Sequence, residues 1–170
     1  MKEIELKAKT DIKIQKVDNN EGIFLVSKLA REIWPEVYKD ILEKDHIDFL
    51  LKKYFVSEAI IENINKGYEY YLLSSEHKFF GFFSFVNKKS FIYIDKLYFL
   101  NDFRRKGIAK EIIDFIHKFY KKPLKLNVNQ QNLNAIKAYL AIGFEIEKEE
   151  IINLNNGLVN KDFVMVYKNL

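Results

Sequence analysis

The chain has 170 residues, 48% hydrophobic and 15% aromatic, which is enough apolar material for one self-sufficient core. The absence of cysteine removes disulfides and thiol chemistry. The net charge of +4 arises from 28 basic residues scattered among 24 acidic ones, a solvated surface and not a nucleic-acid face.

No apolar stretch is long enough to span a bilayer. Met1 to Lys16 alternates charge with aliphatics where a signal peptide would carry an apolar core, so a cytoplasmic location with no membrane partner is expected. Without repeats, low-complexity tracts or Pro/Gly-rich linkers, residues 1–170 read as a single domain.

Ile12 to Val17 alternates as a strand. Asp18, Asn19 and Asn20 then offer capping side chains to a helix from about Glu21 to Trp34, which Pro35 is expected to end. A second helical stretch runs from about Asp45 to Asn65, with a break near Tyr54 to Ser57, and closes on Lys66-Gly67.

Three aromatic and β-branched runs follow, Tyr68 to Ser74, Phe79 to Asn87 and Phe91 to Leu100, separated by polar tips. This is an antiparallel meander. Next comes a helix with Ile108, Ile112, Phe115, Ile116 and Phe119 on one face and Lys110, Asp114, Lys118 and Lys121 on the other. Pro123 stops it. Leu124 to Val128 reads as a strand, Asn134 to Ile142 as a helix ended by Gly143, and Phe144 to Leu154 and Asp162 to Lys168 as strands joined by a turn at Asn156-Gly157. The order βαα-βββ-αβ-αββ is an α/β fold with a mixed sheet, because the passage through Gly107 needs a parallel crossover.

Two of the three arginines stand together in Arg104-Arg105-Lys106-Gly107-Ile108-Ala109, at a strand-to-helix junction. A helix opening near Gly107 aims unpaired N–H groups and its positive dipole end at whatever lies above the strand, a site suited to phosphate. The segment lacks the repeated glycines of a dinucleotide fingerprint and the Gly-Lys-Ser/Thr ending of a nucleoside-triphosphate loop.

Asp95 is a carboxylate in a run whose apolar residues occupy both strand faces, so it lies in a central strand with little water. Strand alternation is expected to turn Lys96 to the opposite face, away from it. Burial makes a carboxylate a better base, and a structural hydrogen-bonding role is the competing reading. Tyr139 shares a helical stripe with Ala135, Ala138 and Ile142, which alone indicates core packing. The three histidines, His46, His77 and His117, have no metal-ligand spacing, and no metal is expected.

The stretch from Leu97-Tyr98-Phe99 through Arg104-x-x-Gly107-x-Ala109 resembles the acyl-CoA-binding motif of the GNAT N-acyltransferase superfamily. Leu126-x-Val128-x-x-x-Asn132-x-x-Ala135-x-x-x-Tyr139-x-x-x-Gly143-Phe144 resembles that family's downstream motif on the matching strand and helix. The motifs cover about Tyr68 to Phe144, and the order of elements extends the likeness to nearly the whole chain. Ala109 stands where the family often has Gly.

The resemblance implies a mostly antiparallel mixed sheet of six or seven strands with about four helices, splayed between the fourth and fifth strands. It implies acetyl-CoA as cosubstrate and direct transfer to a primary amine. Carried over residue by residue, it assigns the pyrophosphate to the turn Arg104, Arg105, Lys106, Gly107, Ile108, Ala109 and Lys110. The pantetheine arm and thioester carbonyl fall to the edge of Leu97, Tyr98 and Phe99, and the passing arm to Asn132 and Ala135. Tyr139 becomes the acid that protonates the leaving thiolate, and Asp95 the base or substrate anchor.

Acceptor choice in this family falls to the first helices and last strands. Here Trp34 to Tyr38, with Asp40, Glu43 and Asp45 nearby, offers an aromatic wall and carboxylates suited to a cationic amine such as a polyamine, or equally an ordinary exposed connection. Protein N-termini or lysines as acceptors, and a non-catalytic acyl-CoA-binding module, are the alternatives. The family also makes a homodimer an open expectation.

Overall fold

A computed structural model describes residues 3–5, 12–154 and 157–168. A short strand β1 (Glu3–Glu5) and β2 (Ile12–Lys16) precede three helices, α1 (Asn20–Tyr38), α2 (Lys44–Tyr54) and α3 (Ser57–Asn65). The meander β3 (Tyr68–Ser75), β4 (Lys78–Asn87) and β5 (Ile92–Phe99) follows, then α4 (Ile108–Tyr120), β6 (Leu124–Asn129), α5 (Leu133–Ile142), β7 (Glu145–Asn153) and β8 (Val159–Tyr167). The sheet order is β1-β2-β3-β4-β5-β6-β8-β7. Among the described residues only β5 and β6 run parallel, the crossover required by the strand–helix–strand passage through α4.

Seven of the eight strands are those read from the sequence, and β1 is a three-residue addition that the reading passed over. The second helical stretch divides at Phe55-Val56, where the Phe55 ring is completely buried. Asn19 caps α1 as its side chain suggests, its Oδ1 accepting from the Gly22 N–H at 2.8 Å. Of the predicted 156–157 turn, Asn156 lies outside the described residues; Gly157 holds φ +80° and donates its N–H to the Leu154 carbonyl.

Pro35 does not end α1. The helix continues to Tyr38, and Lys39 N–H reaches the Pro35 carbonyl at 3.0 Å. Proline removes the bond to the Arg31 carbonyl, but both residues lie on the exposed side, where water can satisfy that oxygen. Burial of Trp34 and Tyr38 on either side of the proline holds the last turn in place.

Strand alternation sorts the core into two layers. Ile92, Ile94, Leu126 and Val128 pack with Ile108, Ile112, Ile113 and Ile116 of α4, while Tyr70, Leu72 and Phe82 pack with Val26, Leu29, Ile33 and Trp34 of α1. Phe119, expected on the core face of α4, is 59% exposed; a stripe of 3.6 periodicity outlasts the sheet beneath it.

The sheet opens between β5 and β6. They pair at Ile92 with Leu124, Tyr93 with Lys125 and Ile94 with Leu126, and there the ladder stops. Beyond this point β5 stays bonded to β4 as far as Phe99, and β6 stays bonded to β8 as far as Asn129. The two strands therefore diverge and leave a wedge, lying between the fourth and fifth strands of the sequence reading.

Candidate functional site

The wedge widens into a cleft of about 1330 Å³ that runs from the N-terminus of α4, past the free edge of β5, to the face covered by α1 and α2. Leu97, Tyr98 and Phe99 line it, and their backbone has no β6 partner. An extended chain carrying amides could add itself to such an edge.

At one end, a 3-10 turn (Asn101–Phe103) leads from β5 to the arginine pair. Arg104 donates from Nε to the Phe99 carbonyl at 3.0 Å, which pins the turn to the end of the strand. Arg105 is exposed with φ +59°, and Gly107 follows with φ +82°; the chain reverses through these two left-handed residues before α4 begins. Glu111 N–H is the first along α4 to find an acceptor on its own chain at the helix start, the Gly107 carbonyl at 3.1 Å. The earlier N–H groups of Ile108, Ala109 and Lys110 face the cleft mouth, where an anion would satisfy them.

Two cations are less available than the sequence suggests. Lys106 Nζ lies 5.1 Å from the Phe103 ring centroid, and Lys110 Nζ bonds Asp114 Oδ2 at 2.5 Å. Backbone donors, the Arg105 guanidinium and the Arg104 N–H groups not bonded to Phe99 are offered to a phosphate at the cleft mouth, whose lining does not include Lys106.

Near the middle, Asn132 caps α5, its Oδ1 accepting from the Ala135 N–H at 3.2 Å. Asn132, Ala135 and Tyr139 all line the cleft. The Tyr139 ring packs edge-on against Phe144 at 5.5 Å. Burial raises the pKa of its phenol, and the nearby Tyr38 raises it further. Tyr38 reaches the same region from α1, its hydroxyl 3.4 Å from that of Tyr98.

Asp95 and Lys96 require a correction. Lys96 Nζ donates to Asp95 Oδ2 at 2.6 Å, and Ser84 Oγ donates to the same oxygen at 3.3 Å. Phe85 pairs with Ile94 and Ser84 with Lys96, so Asp95 is the extra residue of a β-bulge. A bulge breaks alternation and turns two consecutive side chains to one face. Both then point toward α2, where Lys96 Nζ lies 5.5 Å from the Tyr54 ring and 5.6 Å from the Phe55 ring.

In the expected acceptor wall, Trp34 is buried against Tyr38, Phe55 and Tyr98 and serves as core. Glu36 and Asp40 line the cleft, while Glu43 and Asp45 lie outside its lining. Polar residues that the sequence reading did not single out complete this end: Tyr54, Tyr93, Asn127, Asn160 and Asp162. Tyr93 donates to Asn127 Oδ1 at 3.2 Å, and Asn127 Nδ2 donates to Glu150 Oε2 at 2.7 Å. Burial raises the Asp162 pKa, with Asn127 opposing the shift and Glu150 adding to it.

His46 is buried in α2, and His117 bonds the Lys122 carbonyl at 2.9 Å. Among the described residues no helix is long and apolar enough to cross a membrane.

A family model described as an acetyltransferase (GNAT) domain matches residues 28–160. No curated protein matches the chain in sequence. Among solved structures, the PaiA N-acetyltransferase of Thermoplasma acidophilum in complex with coenzyme A is similar at 21% identity with a TM-score of 0.77, covering 94% of this chain and 99% of that one. NAA60 of Arabidopsis thaliana, in complex with a bisubstrate analogue, aligns at 18% identity and TM-score 0.67 over 92% of this chain and 97% of its own. The ribosomal-protein-S18-alanine N-acetyltransferase of Escherichia coli aligns at 14% identity and TM-score 0.66 over 91% and 92%. At these identities the structural likeness is one of fold.

Proposed function

The chain belongs to the GNAT acetyltransferase domain family, and from that premise we propose that it moves an acetyl group from acetyl-CoA directly to a primary amine, a small-molecule amine such as a polyamine being favoured. The observation that carries this reading is the opening between β5 and β6, with free helix N–H groups at one end and Tyr139 within it. A coenzyme A complex of the Thermoplasma acidophilum structure supports the same ligand here.

The residues present fit that ligand. The N–H groups of Ile108, Ala109 and Lys110, with Arg105, satisfy pyrophosphate oxygens without a metal. Leu97 to Phe99 offer main-chain groups to the amides of the pantetheine arm and a donor to the thioester oxygen as negative charge develops on it. Ala135 leaves room for the arm, and Asn132, the cap of α5, lies beside it.

Asp95 takes the proton from the acceptor ammonium, directly or through water, and the neutral nitrogen attacks the thioester carbon. Tyr139 gives its proton to the departing thiolate, and the amide nitrogen loses its extra proton to restore the phenol. Ammonium and thioester become amide and thiol, with one proton released in total. The chemistry calls for no covalent acyl-enzyme and no metal.

As part of this reading, residues 1–170 form one cytoplasmic domain, with a homodimer carried by the family resemblance. An amine panel with acetyl-CoA, followed by release of free thiol, tests the function. Thiol release with amines supports transfer; binding of acetyl-CoA with no thiol release from any amine would leave a ligand-binding module in its place.

A further inference from the structure

Of the four carboxylates that line the cleft, Glu36 and Asp40 are exposed, and the other two, Asp95 and Asp162, differ in standing. Asp95 has its charge offset by Lys96 at 2.6 Å. Asp162 belongs to no ion pair among the described residues, although it is only 9% exposed. Its Oδ1 and the Asn160 Oδ1 are both buried with no hydrogen-bond donor.

Strand geometry puts these two oxygens on the acceptor side. Phe163, Met165 and Tyr167 of β8 belong to the core beneath α4, so the alternate residues Asn160 and Asp162 face the layer of α1 and α2. Asp162 is opposite Asn129 on one neighbouring strand and Glu150 on the other. Glu150, which accepts from Asn127 and from Lys148, is a second carboxylate and adds like charge beside Asp162 without offsetting it. Asp162 also acts on Tyr38 and Tyr54, which line the same cleft, raising the pKa of both phenols after burial has done so.

Two acceptor oxygens without donors, one of them on a buried carboxylate that has no ion-pair partner among the described residues, match a group that is cationic and carries several N–H donors. That group is not the reacting nitrogen. The reacting nitrogen must shed its proton before it attacks, and an ammonium held in a charge pair with Asp162 is kept in its protonated form.

We infer that Asp162 and the Asn160 side-chain oxygen hold a second, non-reacting ammonium of the acceptor, which makes the acceptor a diamine or polyamine. This rests on the transferase reading and specifies its substrate class.

The test compares spermidine with n-butylamine in the wild type, Asp162→Asn and Asn160→Leu, with thermal unfolding measured alongside. Loss of a charge-assisted contact is expected to lower the kcat/KM preference for spermidine over butylamine by about 10- to 100-fold in Asp162→Asn, and by less in Asn160→Leu. The apoprotein of Asp162→Asn should melt no lower than the wild type. A carboxylate whose pKa is raised by folding is penalised as pH climbs past its unfolded value, and the amide removes that penalty at neutral pH.

An unchanged preference in a folded Asp162→Asn would overturn the inference. If acetyl-CoA binds but no amine is acetylated, the transferase reading fails separately. Calorimetric titration of spermidine then decides the subsite: binding lost in Asp162→Asn sustains it, and no binding to the wild type ends it.

Discussion

Gly81 of β4 stands directly against the carbonyl of Tyr98 on β5: a Cβ built on Gly81 would lie 2.6 Å from that oxygen and 2.8 Å from Phe99 Cδ1. Gly81 pairs with Phe99 in the ladder, so the close approach holds β5 in place just where its other edge is free. Gly81→Ala must push the backbone of β5, because the nearest atom is a carbonyl and not the end of a flexible side chain. Overpacking of this kind costs about 1–3 kcal/mol. At ~2–4 °C per kcal/mol for a chain of this size, the melting temperature should fall by several degrees. The displaced edge should also raise the KM for acetyl-CoA severalfold, which steady-state kinetics would show.

Tyr139→Phe separates packing from chemistry, since the ring against Phe144 is retained and only the hydroxyl is lost. With Tyr139 as the acid, kcat should fall by about 10²–10⁴-fold while acetyl-CoA affinity changes little. The sign of the pKa shift gives a second check. A raised phenol value keeps the proton-donating form populated to higher pH, so the wild-type kcat should show no alkaline loss from this group below about pH 10. Equal turnover in Tyr139→Phe would remove the hydroxyl from the reaction.

The Asp95–Lys96 pair is mostly buried, with side-chain exposures of 17% and 9%. Removing one partner strands the other charge, which typically costs about 3–5 kcal/mol. Asp95→Asn and Lys96→Met should therefore each destabilise the fold. The double variant should recover much of the stability, because replacing both charges avoids the stranded ion. Activity should not return with it. A double variant that regained both stability and turnover would make the pair structural only.

Much of this architecture is legible in local sequence. The helix start at Gly107, the cap at Asn19 and the glycine at Gly143 are short-range signals, and the β5–α4–β6 passage forces a parallel pair from the order of elements alone. The bulge at Asp95 is not. Apolar residues on both faces of Phe91 to Leu100 satisfy either register, so alternation gives no warning that Asp95 and Lys96 share a side. Asp162 looks like an ordinary polar strand residue until Asn129 and Glu150, distant in sequence, are placed on either side of it. Pro35 misleads for a different reason: the packing of Trp34 and Tyr38 outweighs a lost hydrogen bond that water can replace.

Glu69 ties the meander to its surroundings and gives the stability its acid limb. Its carboxylate accepts from Lys16 Nζ at 2.7 Å, Tyr71 at 2.7 Å and Tyr120 at 3.4 Å, joining β2, β3 and α4. Burial alone would raise its pKa, but these donors outweigh burial and the net shift is downward. A carboxylate lowered by folding contributes stability that is complete above the unfolded value, about 4.3, and is lost as pH falls through the lowered folded value. Glu69→Gln should reduce the melting temperature at pH 7 more than at pH 3, flattening the acid side of the profile. A constant difference between the two proteins across that range would mean that the charge on Glu69 adds nothing beyond its shape.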